Sequence, residues 1–225
     1  MSRRESPTLD SKAVDVHLRT LLWPVLKAEG FTRRTGRTTW RDRPGLVQTV
    51  NVQSFNRYLA DVIGMTTFSF GVNLGVYYEA IADVSRISAF VRDPRRPPEW
   101  HCHARKHLGK GIAQPNEVRK RWRFDPRPAQ PTLGAWRDRP DIWFVFPDGS
   151  NLEEVVTDAR DRIIEDGLPW LERLSDLRAA HRIFLEVEET NLAPGIVSEG
   201  YGGAIGSPNR REAVEALAAA LGDVS

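Results

Sequence analysis

Residues 66–76, TTFSFGVNLGV, constrain this chain more than any other stretch. Phe68, Phe70, Val72, Leu74 and Val76 take every second position, with Thr67, Ser69, Gly71, Asn73 and Gly75 between them. Successive side chains of a strand point to opposite faces, so the spacing predicts a strand with one large apolar face and one of small and polar groups. A helix would scatter the five large side chains around its circumference. Such a strand needs neighbours for its backbone groups and an amphipathic cover for its apolar face.

The neighbours are close in sequence. LVQTVNVQS, residues 46–54, alternates and is rich in β-branched residues. FTRRTGRTTWRD, residues 31–42, reads as a hairpin turning at Thr35-Gly36, and RPG at 43–45 is a second turn. Trp100 to His107 and DIWFVF, residues 141–146, read as further strands.

Helices supply the cover. From about Asp10 or Ser11 to Glu29, residues Val14, Leu18, Leu21, Leu22, Val25 and Leu26 form one apolar face, and Gly30 suits a C-cap. Pro24 should kink or split this helix near Trp23, because it lacks a backbone donor. Ala80 to Phe90 reads as a short helix. Ser150-Asn151-Leu152-Glu153 has capping-box spacing and opens a helix to about Asp166, which breaks at Gly167-Leu168-Pro169 and resumes from Trp170 to Leu177. HRIFLEVEE, residues 181–189, fits a strand or a continued helix. The Gly-rich GYGGAIGSP leads to a last helix with Ser207 as N-cap and Pro208 in its first turn. The expected class is α+β: an antiparallel sheet of about five or six strands with helices packed on one face. Residues 1–10 are expected to be a disordered terminus and 11–190 a single domain, with 191–225 a loop-and-helix extension of it.

Several functional classes drop out on composition. With 40% hydrophobic residues, seven Trp and nine Phe, the chain is a folding one. It has no run of roughly 18 apolar residues to span a membrane, and its start has no secretory signal. One cysteine excludes an internal disulfide framework and fits a reducing cytoplasm. Residues 141–200 hold 5 basic against 14 acidic residues, whereas the preceding part is basic. That asymmetry suits a polyanion, or an acidic helix folded back on a basic sheet. Arginine outnumbers lysine 27 to 5, which reflects a GC-rich genome more often than nucleic-acid binding. A nucleic-acid role using residues 119–127, with the basic, aromatic RKRWRF, and the Arg-rich hairpin is therefore the weakest reading, since no recognised module accompanies the charge.

EWHCHARKHLG, residues 99–109, holds three of the five histidines and the only cysteine. On a continuous strand His101, His103, Arg105 and His107 share a face and Cys102 takes the other. His101 and His103 are then a possible metal pair, but no third ligand is in reach, so no metal is expected. The histidines face away from Cys102, which argues against a cysteine nucleophile.

The more interesting constellation spans three strands. Parity groups Asn51 with Gln53, sets Asn73 among small residues, and groups His103 with Arg105. On one side of one sheet, amide, imidazole and guanidinium groups converge, and Gly71 and Gly75 leave room above them. The patch then is a site for an anion or peptide carboxylate, the wet face of an antiparallel sheet, or a buried hydrogen-bond network.

The order of these pieces resembles a bacterial family catalogued as domain of unknown function 4304. The resemblance is carried by LLWPVLKAEGF, by Asn51, Gln53 and Ser54, by Asn73, Gly75 and Val76, and by Cys102, His103 and Arg105, over roughly residues 14 to 175. It implies an α+β cytoplasmic domain and brings no activity with it. The resulting expectation is a non-catalytic domain that binds another protein, in the manner of accessory or immunity-like proteins, without a cofactor. The alternative is an enzyme or small-anion binder built on Asn51, Gln53, Asn73, His103 and Arg105.

Overall fold

The structure, a computed structural model, describes residues 11–63, 65–82, 91–112, 140–189 and 210–222. Its five strands are Arg33–Thr35 (β1), Thr38–Arg43 (β2), Leu46–Ser54 (β3), Phe70–Tyr78 (β4) and Ala104–His107 (β5). Each is antiparallel to the next, in the order β1-β2-β3-β4-β5. Both predicted hairpin turns form, with Gly36 at φ 57° and Gly45 at φ 73°, values that disfavour any residue with a Cβ. β3 and β4 pair along their whole length, from Leu46 opposite Tyr78 to Ser54 opposite Phe70.

Three strand expectations need correction. The strand expected over 66–76 begins only at Phe70 and runs on to Tyr78. The strand expected from Trp100 begins only at Ala104, because Glu99–His101 is a 3₁₀ turn. DIWFVF contributes one bridge, Trp143 opposite Phe70, rather than a full strand.

The apolar alternation does what it predicts. Leu46, Val50 and Val52 of β3, with Phe70, Val72, Leu74, Val76 and Tyr78 of β4, bury on one face. Helix α1 consists of Ser11–His17, Leu18–Leu22 and Trp23–Ala28 and adds Val14, Leu18, Leu22 and Leu26 to that core. Two short helices, Arg57–Ile63 (α2) and Glu79–Ala82 (α3), flank β4. Helix α4 consists of Leu152–Arg162, Ile163–Gly167 and Leu168–Arg173, and brings Val155, Val156, Ala159, Ile163 and Leu171 to the same core. Leu177–Glu189 (α5) and Arg210–Gly222 (α6) complete it with Phe184 and Leu217. The ambiguous 181–189 is thus helix.

Neither proline breaks its helix. Leu18–Leu22 and Ile163–Gly167 are π turns, and Pro24 and Pro169 each follow in the next turn. The Trp23 N–H reaches back to the Leu18 carbonyl, and the Leu168 N–H to that of Ile163. The widened turn moves the carbonyls that a proline ring would strike. The capping box does not form either. Helix α4 begins after Asn151, whose side chain instead accepts the Phe146 N–H (2.8 Å) and donates to the Phe144 carbonyl (2.8 Å). The rest of the helix expected to reach Phe90, residues 1–10, the RKRWRF segment, and the Gly-rich loop with Ser207 and Pro208 lie outside the described residues.

Candidate functional site

On the sheet face away from the long helices, Thr38, Asn51, Asn73 and His107 form one row, each opposite the next. Trp40, Thr49, Gly75 and Arg105 form the row beside it. Gln53 stands opposite Gly71, beyond Asn51 and Asn73. The structure therefore brings Asn51, Gln53, Asn73 and Arg105 to one side, and His103 joins them from just before β5.

The two glycines admit the chain itself instead of leaving room for a ligand. A Cβ on Gly75 would lie 2.5 Å from Cys102 Sγ, and one on Gly71 3.3 Å from the Asp141 carbonyl oxygen. Residues 97–102 roof this part of the face. The Pro97 carbonyl accepts from Trp40 Nε1 (2.9 Å) and from the Thr49 hydroxyl (3.3 Å), and Cys102 Sγ sits 3.7 Å from Thr49 Oγ1. Cys102 thus packs onto the polar face, not on the opposite side that an unbroken strand from Trp100 would require. Trp40, Val47, Tyr77, Val91 and Cys102 form a small apolar cluster under the roof.

The same turn carries a buried carboxyl group. Glu99, 5% exposed, is hydrogen-bonded by the Asn73 amide. Burial raises its pKa above the usual carboxylate range, while Arg105 and Asn73 pull it back down. Asn73 Nδ2 also donates to Gln53 Oε1 (2.6 Å), and Asn73 Oδ1 lies 2.6 Å from His107 Nδ1. A carbonyl oxygen only accepts, so His107 carries a proton on Nδ1. Asn51 Nδ2 donates to Thr38 Oγ1 (2.7 Å).

His103 is fully buried and stacks on Tyr77 at 4.7 Å between ring centroids. Its Nδ1 accepts the Tyr78 backbone N–H (2.9 Å), and burial pushes its pKa down to about 3. That neutral ring closes the end of β4 where β5 has not yet begun. With Nδ1 committed to the backbone, His103 is poorly suited to the suggested metal pair with His101. Among the described residues no three His, Cys, Asp or Glu side chains are grouped to hold an ion. Burial pushes the Cys102 thiol up to about 12, so it stays protonated and unreactive at neutral pH.

Where the roof ends, a cleft of about 630 Å³ opens. Asn51, Gln53, Phe55, Phe68, Arg37 and Trp100 are among its lining residues. The Trp100 side chain is 59% exposed, whereas Arg37 is held by Asp15 (2.7 Å). A second cleft of about 690 Å³ lies along β5, with Lys106, His107, Trp170 and Arg173 on its walls. The Gln53–Asn73–His107 bridge runs from the first cleft to the second. Sequence reasoning found the amides but missed Glu99 and the aromatic lining. The available signal was Glu99-Trp100 itself, an acid and a bulky aromatic directly after prolines in an otherwise basic stretch.

The family model described as Domain of unknown function (DUF4304) matches residues 22–173, and the chain belongs to that family. No curated protein and no solved structure matches it.

Proposed function

We propose that this member of a domain family of unknown function is a non-catalytic binding domain, and that its cleft takes an aromatic side chain and adjoining main chain of a partner protein. The observation that carries this reading is the pairing of exposed Trp100 with the side-chain amides of Asn51 and Gln53 at the open end of a face otherwise roofed by the chain. Trp and other aromatics are the side chains that most often anchor protein interfaces, and fixed amides supply hydrogen bonds of main-chain type. Tyr58, 74% exposed, and Leu59 extend the apolar surface from α2, which begins two residues after Phe55. The anion-binding alternative loses support because Glu99 already brings a carboxylate to Asn73 and Arg105. A free, buried thiol suits a cytoplasmic setting. Among the described residues no helix is long and apolar enough to cross a membrane.

Selection of displayed peptides on the wild-type chain, with Trp100→Ala as the counter-bait, tests the reading. Peptides with a recurrent aromatic residue are expected to bind Trp100→Ala at least tenfold more weakly, at unchanged melting temperature, because the side chain is exposed. Peptides that bind both baits equally, or no enrichment at all, would sink it.

A further inference from the structure

Resting on the cleft as a binding site, we infer that it recognises a secondary amide, the peptide group beside the ligand's aromatic ring. Gln53 donates to the amide carbonyl and Asn51 accepts the amide N–H. The directions of the buried hydrogen bonds lead to this assignment. Asn73 directs its Nδ2 to Gln53 Oε1 (2.6 Å) and its Oδ1 to the proton of His107 Nδ1, and the same amide hydrogen-bonds the buried Glu99 carboxyl group. With Oε1 occupied, Gln53 offers the cleft its Nε2, whose hydrogens donate to no described residue. Asn51 has the opposite polarity. Its Nδ2 is used on Thr38 Oγ1, which leaves Oδ1 as an acceptor. A donor and an acceptor thus stand two residues apart on one strand face, roughly 7 Å along the strand. A trans peptide group carries its carbonyl and N–H on opposite sides and fits between such a pair. Asn73 and Glu99 act as positioning residues, because they fix which end of Gln53 meets the ligand.

Two probes share one ring and differ by one donor: N-methyl-phenylacetamide and N,N-dimethyl-phenylacetamide. Binding is read by NMR titration of the Trp100 indole N–H, identified by its loss in Trp100→Phe. The secondary amide should bind the wild-type chain roughly threefold to tenfold tighter than the tertiary one, the value of one net hydrogen bond. Gln53→Glu keeps the contact to Asn73 but offers the cleft only acceptors, and Gln53 is exposed, so the variant should melt like the wild type. It should weaken both amides by a similar factor. Asn51→Asp keeps an acceptor at position 51 and should retain the preference for the secondary amide. Equal binding of the two amides by the wild type, or undiminished binding by Gln53→Glu, overturns the assignment while leaving a ring-binding cleft. If neither probe moves the Trp100 signal, the cleft reading itself falls, and the assignment with it.

Discussion

A Cβ at position 75 would come within 2.5 Å of Cys102 Sγ and 2.8 Å of Cys102 Cβ, so Gly75 is required by the roof rather than by a ligand. Gly75→Ala should therefore cost about 2 kcal/mol, the range of an overpacked core site. Urea unfolding measures it, and a second substitution identifies the cause. Cys102→Ala removes the sulfur but leaves the 2.8 Å approach of its Cβ, so Gly75→Ala/Cys102→Ala should recover only part of the loss. An additive double variant would mean that the two residues do not meet as described. This glycine also marks the limit of reading by parity. Alternation grouped Asn51 with Gln53 and His103 with Arg105, because the period of a strand is a local property, whereas the register set Asn73 and Arg105 on the same side as Asn51. Whether the space over a glycine holds solvent, ligand or chain depends on residues far away in sequence, and position 75 carries no mark of Pro97 or Cys102.

At the level of elements, one buried glutamine ties the sheet to the helical layer. Gln48 on β3 is fully buried and accepts from Arg41 Nε (2.6 Å). Its own amide donates to the Leu171 carbonyl and to Ser175 Oγ, each at 2.7 Å, at the end of α4 where carbonyls have no intrahelical donor. Arg41 in turn donates to the Glu29 carbonyl after α1 (2.8 Å), pairs with Glu172 (2.6 Å) and lies over the Phe31 ring. Gln48→Leu keeps similar bulk, removes the acceptor of Arg41 Nε and leaves the Leu171 carbonyl with Ser175 Oγ alone (3.0 Å). A loss of about 3 kcal/mol in chemical denaturation is expected, as for a broken buried network. A loss below about 0.5 kcal/mol would mean that water replaces the amide without penalty. The pairings of β1 with β2 and of β2 with β3 were legible in the sequence because short turns marked by Gly36 and Gly45 join them, whereas residues 55–69 separate β3 from β4 and residues 79–103 separate β4 from β5. The π turns were not legible. The cost of Pro24 and Pro169 is a local fact, but its relief depends on helices pressed against a sheet. Gly167 shows that pressure, since a Cβ there would lie 3.2 Å from Leu74 Cδ1 and 3.3 Å from Leu108 Cδ1.

Across the whole molecule, the basic and acidic parts of the sequence meet. Arg41 and Arg43 of β2 both reach Glu172 of α4, which is the fold-back that the uneven charge suggested as the alternative to a polyanion surface. These pairs are partly exposed at Glu172 and so govern acid stability less than the buried imidazole does. His103 is held neutral with its pKa lowered from 6.5 to about 3, whereas an unfolded histidine titrates near 6.5. A depressed folded pKa gives stability that is fully present above the unfolded value and is lost as pH falls toward the folded one. The window is therefore pH 6.5 down to about 3, and the full loss is on the order of 5 kcal/mol. Glu99, raised by burial, works in the opposite sense, because the folded state takes up its proton first and softens the decline. Cys102, raised to about 12, affects only alkaline pH, where the unfolded thiol ionises before the folded one. His103→Asn separates these contributions, since an asparagine Oδ1 can accept the Tyr78 N–H in place of Nδ1 but does not titrate. The variant should be less stable at pH 7, having lost the stack on Tyr77, yet its unfolding free energy should fall less steeply than the wild type's between pH 6.5 and 4. Parallel declines in the two proteins would assign the acid limb to carboxylates and leave His103 with a packing role alone.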